Sequence, residues 1–257
     1  SLVLNNQQLV STAKRYEDSE ALARDVAQDP AGIGFVGLPY VGGTRAVAVA
    51  EAHAAALLPS RFTVATEDYP LTRRLFLYIS SHAKNKHAKE FIRFCLSAEG
   101  QDVVQKGGFI SQNMEIMKVA ESDTRWVNQE KKKQYQNIIA NSQGRFSLNF
   151  RFKPNSTLLD NKAAYDVDRV VRFLSAGENQ NRRIVLLGFA DSAGDYEANV
   201  ALSAQRALAV RDQLVFRNNN LADKIEVVGF GPEEPVASNA TLDGRGKNRR
   251  VEIWLKI

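Results

Sequence analysis

Apolar and polar residues alternate most cleanly in the middle of the chain, where Phe146, Leu148, Phe150 and Phe152 are separated by Ser147, Asn149 and Arg151. A period of two predicts a strand with one buried face. Val167, Val170, Val171 and Leu174 then share one side of a 3.6-residue repeat, which predicts an amphipathic helix. Ile184-Val185-Leu186-Leu187-Gly188 reads as a fully apolar strand, Leu202, Ala209, Val210 and Leu214 as a second amphipathic helix, and Ile225-Glu226-Val227-Val228 as a third strand. Val251-Glu252-Ile253-Trp254-Leu255 closes the series. The order β-α-β-α-β-β over residues 145–257 predicts an α+β domain, with helices packed on one face of a mixed sheet.

The first 117 residues mix helical patterns with short apolar runs. Asp18-Ser19 before Glu20-Ala21-Leu22-Ala23 predicts a capped helix closed near Asp29-Pro30. The runs 33–37, 61–65 and 75–79 predict short strands, and helices are expected from Lys86 to Leu96 and from Gln101 to Lys106, the latter ended by Gly107-Gly108. Residues 118–144 are rich in charged and amide side chains, with a weak seam of Trp126, Tyr135 and Ile138/Ile139, and are read as a connector. The organisation predicted is thus a partial α/β module over 1–117, a connector over 118–144 and a domain over 145–257.

Composition narrows the class without naming it. Hydrophobic residues at 44% and charged residues at 25% fit a folded globular chain. The net charge of +5 is spread over both halves, without the concentrated basic stripe of a nucleic-acid binder, so no nucleic-acid partner is expected. The single cysteine, Cys95, excludes an intramolecular disulfide and, on a helix face with Phe91 and Phe94, is expected as a buried structural thiol. No stretch approaches the roughly 18 uninterrupted apolar residues of a membrane helix. Ser1-Leu2-Val3-Leu4-Asn5 lacks the features of a signal peptide. His82 and His87 are five apart and His53 is remote from them, so no metal site is expected. No catalytic set and no cofactor motif is present, which argues against an enzyme.

Two stretches carry specific information. The first is Gly188-Phe189-Ala190-Asp191-Ser192-Ala193-Gly194, continuing through Asn199 to Leu202-Ser203-Ala204-Gln205-Arg206-Ala207. The second runs from Gly229-Phe230-Gly231 through Pro235-Val236-Ala237-Ser238-Asn239 to Gly244-Arg245-Gly246-Lys247-Asn248-Arg249-Arg250-Val251. With Phe152-Lys153-Pro154-Asn155-Ser156, they resemble the OmpA-like C-terminal domain over essentially all of residues 145–257.

That resemblance implies non-covalent binding of peptidoglycan in the periplasm of a Gram-negative bacterium, at the cell wall or outer membrane. The expected partner is the diaminopimelate of the stem peptide, whose free end presents an ammonium and a carboxylate on one carbon. Gripping such a zwitterion takes one anionic and one cationic side chain, and arginine can hold a carboxylate bidentately. Asp191 follows the C-terminal end of an apolar strand, where α/β sheets commonly place ligands. The family motif assigns the ammonium to Asp191, the carboxylate to Arg206, and secondary contacts to Asn155 and Arg249. Taken singly, Asp191 could equally stabilise its turn, an Asp191–Arg206 pair could be structural, and Arg249 and Arg250 are not separable between pocket and surface.

A second resemblance covers about residues 19–111. Asp29-Pro30-Ala31-Gly32-Ile33-Gly34-Phe35, Tyr69-Pro70-Leu71-Thr72-Arg73-Arg74 and Ala88-Lys89-Glu90-Phe91-Ile92-Arg93-Phe94-Cys95-Leu96 are similar to the second half of a phosphate-type periplasmic solute-binding protein. It implies a small anion as a partner of this module, although the anion-contacting residues of such proteins lie mostly upstream of the matched part. Two functions follow: a peptidoglycan anchor that tethers a solute-binding-like module, or a phosphate or oxyanion receptor positioned by the OmpA-like part.

Overall fold

The computed structural model describes residues 8–51, 54–82, 84–119 and 126–257. His53 and residues 1–5, considered above, lie outside these. The chain forms two units, one made of residues up to Ala48 with Leu58–Val64 and Leu71–Asn113, the other of Val49–Leu57, Ala65–Pro70 and Met114–Ile257.

The first unit is helical among the described residues. Helix α1, Ser19–Gln28, opens where the Asp18 carboxylate accepts the Glu20 N–H at 2.8 Å. It stops before Asp29-Pro30, because a proline disfavours helical backbone in the residue ahead of it. Helix α2, Arg61–Ala65, occupies a run that the pattern assigned to a strand. Helix α3, Lys86–Leu96, has the predicted bounds and α4, Ala98–Lys106, begins slightly earlier than predicted. The Asn85 and Ser97 side chains cap them, and α4 ends at Gly107, followed by Gly108 at a positive φ of 81°.

Further expectations for this region fail. Residues 33–37 and 75–79 form no strand, and Ile33 and Tyr78 are each 90% exposed. A short apolar run becomes a strand only where a neighbour takes its backbone hydrogen bonds and covers one face. No such neighbour is found among the described residues of this unit, so the α/β module expected for 1–117 has no sheet here. The apolar face of α3 is also open: Phe91 and Phe94 are exposed and Cys95 is only partly buried.

The second unit holds the predicted sheet. Strands β1 (Ile116–Met117), β2 (Ser142–Arg151), β3 (Ile184–Gly188), β4 (Ile225–Gly229) and β5 (Arg250–Lys256) lie in the order β1-β2-β5-β3-β4. Only β3 and β4 pair in parallel, which requires a crossover between them. The helices of this unit are α5 (Gln129–Ala140), α6 (Asn161–Ser175), α7 (Tyr196–Arg217) and α8 (Leu242–Asn248), and α7 is the crossover.

Alternation sorts the strand residues onto two cores. Phe146, Leu148 and Phe150 of β2, Ile184 and Leu186 of β3, and Val251, Ile253 and Leu255 of β5 meet Val167, Val170 and Leu174 of α6 and Val210 and Leu214 of α7. Each such side chain, fully buried, contributes about 1.5–3 kcal/mol. On the other face Val185, Leu187, Phe189, Phe230 and Trp254 pack against Trp126 and Tyr135, with Ile138 and Ile139 of α5 alongside. The seam read in the 118–144 stretch is therefore a sheet-covering face, and β3 is apolar throughout because both of its faces are covered.

The polar face of β2 departs from the pattern. Arg145, Ser147 and Asn149 are buried rather than solvated. Arg145 Nη2 lies 3.0 Å from Asp68 Oδ2, Asn149 Nδ2 donates to Asp68 Oδ1 at 2.9 Å and to the Thr66 carbonyl at 3.0 Å, and Arg151 Nη2 donates to the same two groups. The short 65–70 segment thus supplies the partners that let a charged strand face leave water.

Candidate functional site

Strand β3 delivers its chain to the site through a tight packing constraint. A Cβ on Gly188 would sit 2.0 Å from the Ser203 carbonyl oxygen of α7, so glycine lets helix and strand approach. Beyond β3, Phe189 N–H donates to the Arg250 carbonyl at 2.8 Å and Ala190 N–H to the Gly231 carbonyl at 2.7 Å, which holds the chain straight up to Asp191. The Asp191 carboxylate then closes a turn by accepting the Ala193 N–H through Oδ1 at 3.0 Å. Gly194, with φ at 90°, completes the turn, and Asp195 caps α7 by accepting the Ala198 N–H at 2.9 Å. Asn199 donates to the Ala193 carbonyl at 2.9 Å and ties the loop to the helix.

Asp191 pairs with Arg249. Its Oδ2 lies 2.7 Å from Arg249 Nη1, both side chains being largely buried. Arg249 sits at the C-cap of α8 and also donates through Nε to the Phe152 carbonyl at 3.1 Å. Its neighbour Arg250 goes elsewhere, with Nε 2.9 Å from Glu252 Oε1, Nη2 donating to the Glu234 carbonyl, and its guanidinium 4.0 Å over the Phe189 ring. The structure thus separates two arginines that are adjacent in sequence.

Arg206 projects from α7 and is 1% exposed. Its Nε donates to the Ser156 carbonyl at 3.1 Å and its Nη2 to the Lys153 carbonyl at 3.4 Å, with the guanidinium 5.6 Å from the Phe152 ring centroid. Its Nη1 is buried and has no hydrogen-bond partner. Burial pulls its pKa down to about 10; Arg249 adds to the shift and Asp191 opposes it. Arg206 is therefore cationic at neutral pH, and an unfilled buried donor of this kind costs about 1–3 kcal/mol until an acceptor arrives.

Asn155 lies on the loop whose carbonyls hold Arg206, exposed and at a positive φ of 47°, which asparagine tolerates better than most residues. The four residues singled out from the sequence thus fall on three segments: the 152–156 loop, the β3–α7 connection with the second turn of α7 onward, and the α8–β5 junction. Asp191 and Arg249 are in contact, and both influence Arg206 electrostatically. Asn239 belongs to the second motif stretch, but no local pattern there assigns it a role. Its Oδ1 accepts the Ser192 N–H at 3.1 Å and the Asn248 amide at 2.9 Å, joining the loop after Asp191 to the helix before Arg249. Among the described residues no His, Cys, Asp and Glu group could hold a metal ion, and no helix is long and apolar enough to cross a membrane.

The family model described as "OmpA family" matches residues 151–249, so this stretch is an OmpA-like domain. The chain is similar to the "Peptidoglycan-binding protein ArfA" of Mycobacterium tuberculosis, 51% identical over 71 residues that cover 28% of this chain and 22% of that protein. It is also similar to the "Peptidoglycan-associated lipoprotein" of Pseudomonas putida, 36% identical over 104 residues that cover 40% of this chain and 60% of the relative. Among solved structures, the peptidoglycan-associated lipoprotein from Burkholderia pseudomallei aligns at 24% identity with a TM-score of 0.39, covering 46% of this chain and 93% of that one. The chain spans only part of the length of either relative.

Proposed function

We propose that this protein binds peptidoglycan without covalent attachment and anchors its chain to the cell wall, on the periplasmic side of the envelope. Arg206 takes the carboxylate of the free diaminopimelate end, Asp191 takes the ammonium, and Arg249 and Asn155 supply secondary contacts. The observation that carries this reading is the buried, unpartnered Nη1 of Arg206 beside the Asp191–Arg249 pair. A cationic donor held by backbone carbonyls and left one bond short is prepared for an anionic oxygen. An anion close by distinguishes a zwitterion site from a plain anion site. The matched relatives, named for binding or association with peptidoglycan, support the same ligand class. The charged groups of the clamp suit reversible gripping of a zwitterion, which fits the role of an anchor.

The anchoring role does not depend on what residues 1–117 bind. The solute-binding-like module and its small anion draw no support from the helical first unit, and they stay outside the reading.

The test is co-sedimentation with purified sacculi. Wild-type protein pellets with the sacculi and is released by soluble diaminopimelate-containing stem peptide. Arg206→Met and Asp191→Asn, the latter preserving the acceptor for Ala193, stay in the supernatant while each still melts cooperatively as a folded protein. Pelleting of both variants at the wild-type level would overturn the assignment.

A further inference from the structure

We propose that Glu51, nearly 100 residues before the OmpA-like domain, is a positioning residue for the Asp191 clamp; the inference rests on the peptidoglycan reading above. Glu51 belongs to the Val49–Leu57 segment, which folds with the second unit and is closed by a bridge between Val49 and Leu57. Its Oε2 accepts the Ser238 N–H at 2.8 Å, across 187 residues of chain. Its Oε1 lies 3.9 Å from Lys247 Nζ, and the same ammonium donates to the Pro70 carbonyl at 2.8 Å. Glu51 therefore touches both the start of the 238–241 loop and, through Lys247, the end of the α8 helix that follows it.

The 238–247 segment leads directly into the clamp from each end. Ser238 precedes Asn239, whose Oδ1 fixes the Ser192 N–H next to Asp191, and whose carbonyl accepts from Arg245 Nη1 at 2.9 Å. Lys247 precedes Asn248 and Arg249; Asn248 donates to Asn239 Oδ1 and to the Ala237 carbonyl, and Arg249 carries the ion pair to Asp191. The fit around Glu51 is close, since a Cβ on Gly244 would lie 3.0 Å from its Oε2. Without the carboxylate, Ser238 N–H loses its acceptor and Lys247 one of its anionic neighbours. The segment then holds Ser192 and Arg249 less tightly, and the separation of anion and cation in the clamp is no longer fixed.

Two variants separate positioning from folding. Glu51→Gln keeps an acceptor for Ser238 N–H, whereas Glu51→Ala removes it. Hydrogen exchange on the free full chain is expected to quicken at Ser192 and Ala193 in Glu51→Ala, with protection in β3 and α7 unchanged, and to be restored in Glu51→Gln. Calorimetry with a disaccharide stem peptide ending in free diaminopimelate should show affinity weakened about fivefold in Glu51→Ala, less than the full worth of a charge-assisted hydrogen bond because the lost bond acts on the clamp indirectly, and recovered in Glu51→Gln. Wild-type exchange at Ser192 and wild-type affinity in Glu51→Ala would overturn the proposal while Arg206→Met still abolished binding. If the wild-type chain itself bound no stem peptide, the clamp reading would fall, and the Glu51 proposal with it.

Discussion

Arg249 Nη1 stands 2.7 Å from Asp191 Oδ2, while Arg206 turns its Nε and Nη2 to the carbonyls of the 152–156 loop and leaves Nη1 unfilled. The two arginines therefore play different parts in the free protein. Arg249 already matches the negative charge of Asp191. Arg206 has its plane fixed by backbone and ring, and its buried Nη1 is without a partner.

This division predicts an asymmetric response to Arg249→Met. The protein loses the pair and the bond to the Phe152 carbonyl, which should lower stability by about 1–3 kcal/mol in denaturant melts. Overall affinity for the stem peptide falls, because a secondary contact is gone. The amine's share of the remaining affinity grows, since an incoming ammonium no longer shares Asp191 with Arg249. Calorimetry with diaminopimelate peptide and with its des-amino counterpart measures that share; a smaller ratio in the variant would place Arg249 on the ligand carboxylate instead.

Gly188→Ala tests how rigidly β3 carries the clamp. The added methyl meets the Ser203 carbonyl oxygen at 2.0 Å and its carbon at 2.7 Å, both backbone atoms of α7. Helix and strand must part, at a cost of about 1–3 kcal/mol. Because Asp191 follows by three residues and Arg206 lies on the displaced helix, stem-peptide binding should weaken together with stability. A variant that melts like wild type would show that α7 packs on β3 less tightly than the backbone contact indicates.

The sheet was legible, and Asp191 and Arg206 stood out as candidates, because local signals carry them: alternation, helical periodicity and a motif in fixed order. Which arginine meets Asp191 was not legible, since Arg249 is 58 positions away and only the fold brings the two together. Alternation implies that Arg249 and Arg250 part ways, but not that Arg250 is the one laid over Phe189. The polar residues of β2 were misread for a related reason. Period two separates two faces; it does not say that the polar one is wet, and Asp68 and Thr66 come from a distant segment that leaves no local trace. The runs 33–37 and 75–79 failed in the opposite sense, as strand-forming residues without a partner strand. Glu51 has no sequence signal at all.

Asp68 should make the second unit sensitive to acid. Burial alone pushes its carboxyl up, but Arg145, Arg151 and Arg250 together outweigh burial and hold it below its ordinary value of 3.8. A depressed carboxylate contributes stability that is present above the unfolded value and lost as pH falls through the folded one. Replacing it with asparagine in Asp68→Asn leaves Arg145 and Arg151 short of an anion and is destabilising at pH 7. The stability gap between wild type and variant should then shrink as pH drops below about 3.8. Chemical denaturation across that range measures it, and a gap independent of pH would mean that Asp68 acts through its hydrogen bonds alone.

The same network sets the size of the smallest stable fragment of the second unit. A chain cut to residues 145–257 keeps the motif, most of β2, all of β3 to β5, and the clamp, but lacks the 65–70 segment and the α5 helix that covers the second sheet face. Arg145, Arg151 and Asn149 then lose Asp68 and Thr66, and removing one partner of a buried pair costs about 3–5 kcal/mol. A fragment starting at Met114 restores α5 but not Asp68, so it should recover only part of the melting temperature. Replacing the stranded groups with apolar ones, as Arg145→Met with Asn149→Leu, should raise the fragment's stability while lowering that of the full chain, because apolar side chains suit an open β2 face no worse than unpaired buried charges. Equal destabilisation in both backgrounds would show that Arg145 is held mainly by Glu252, 3.2 Å from its Nη1, and that the 65–70 segment adds little.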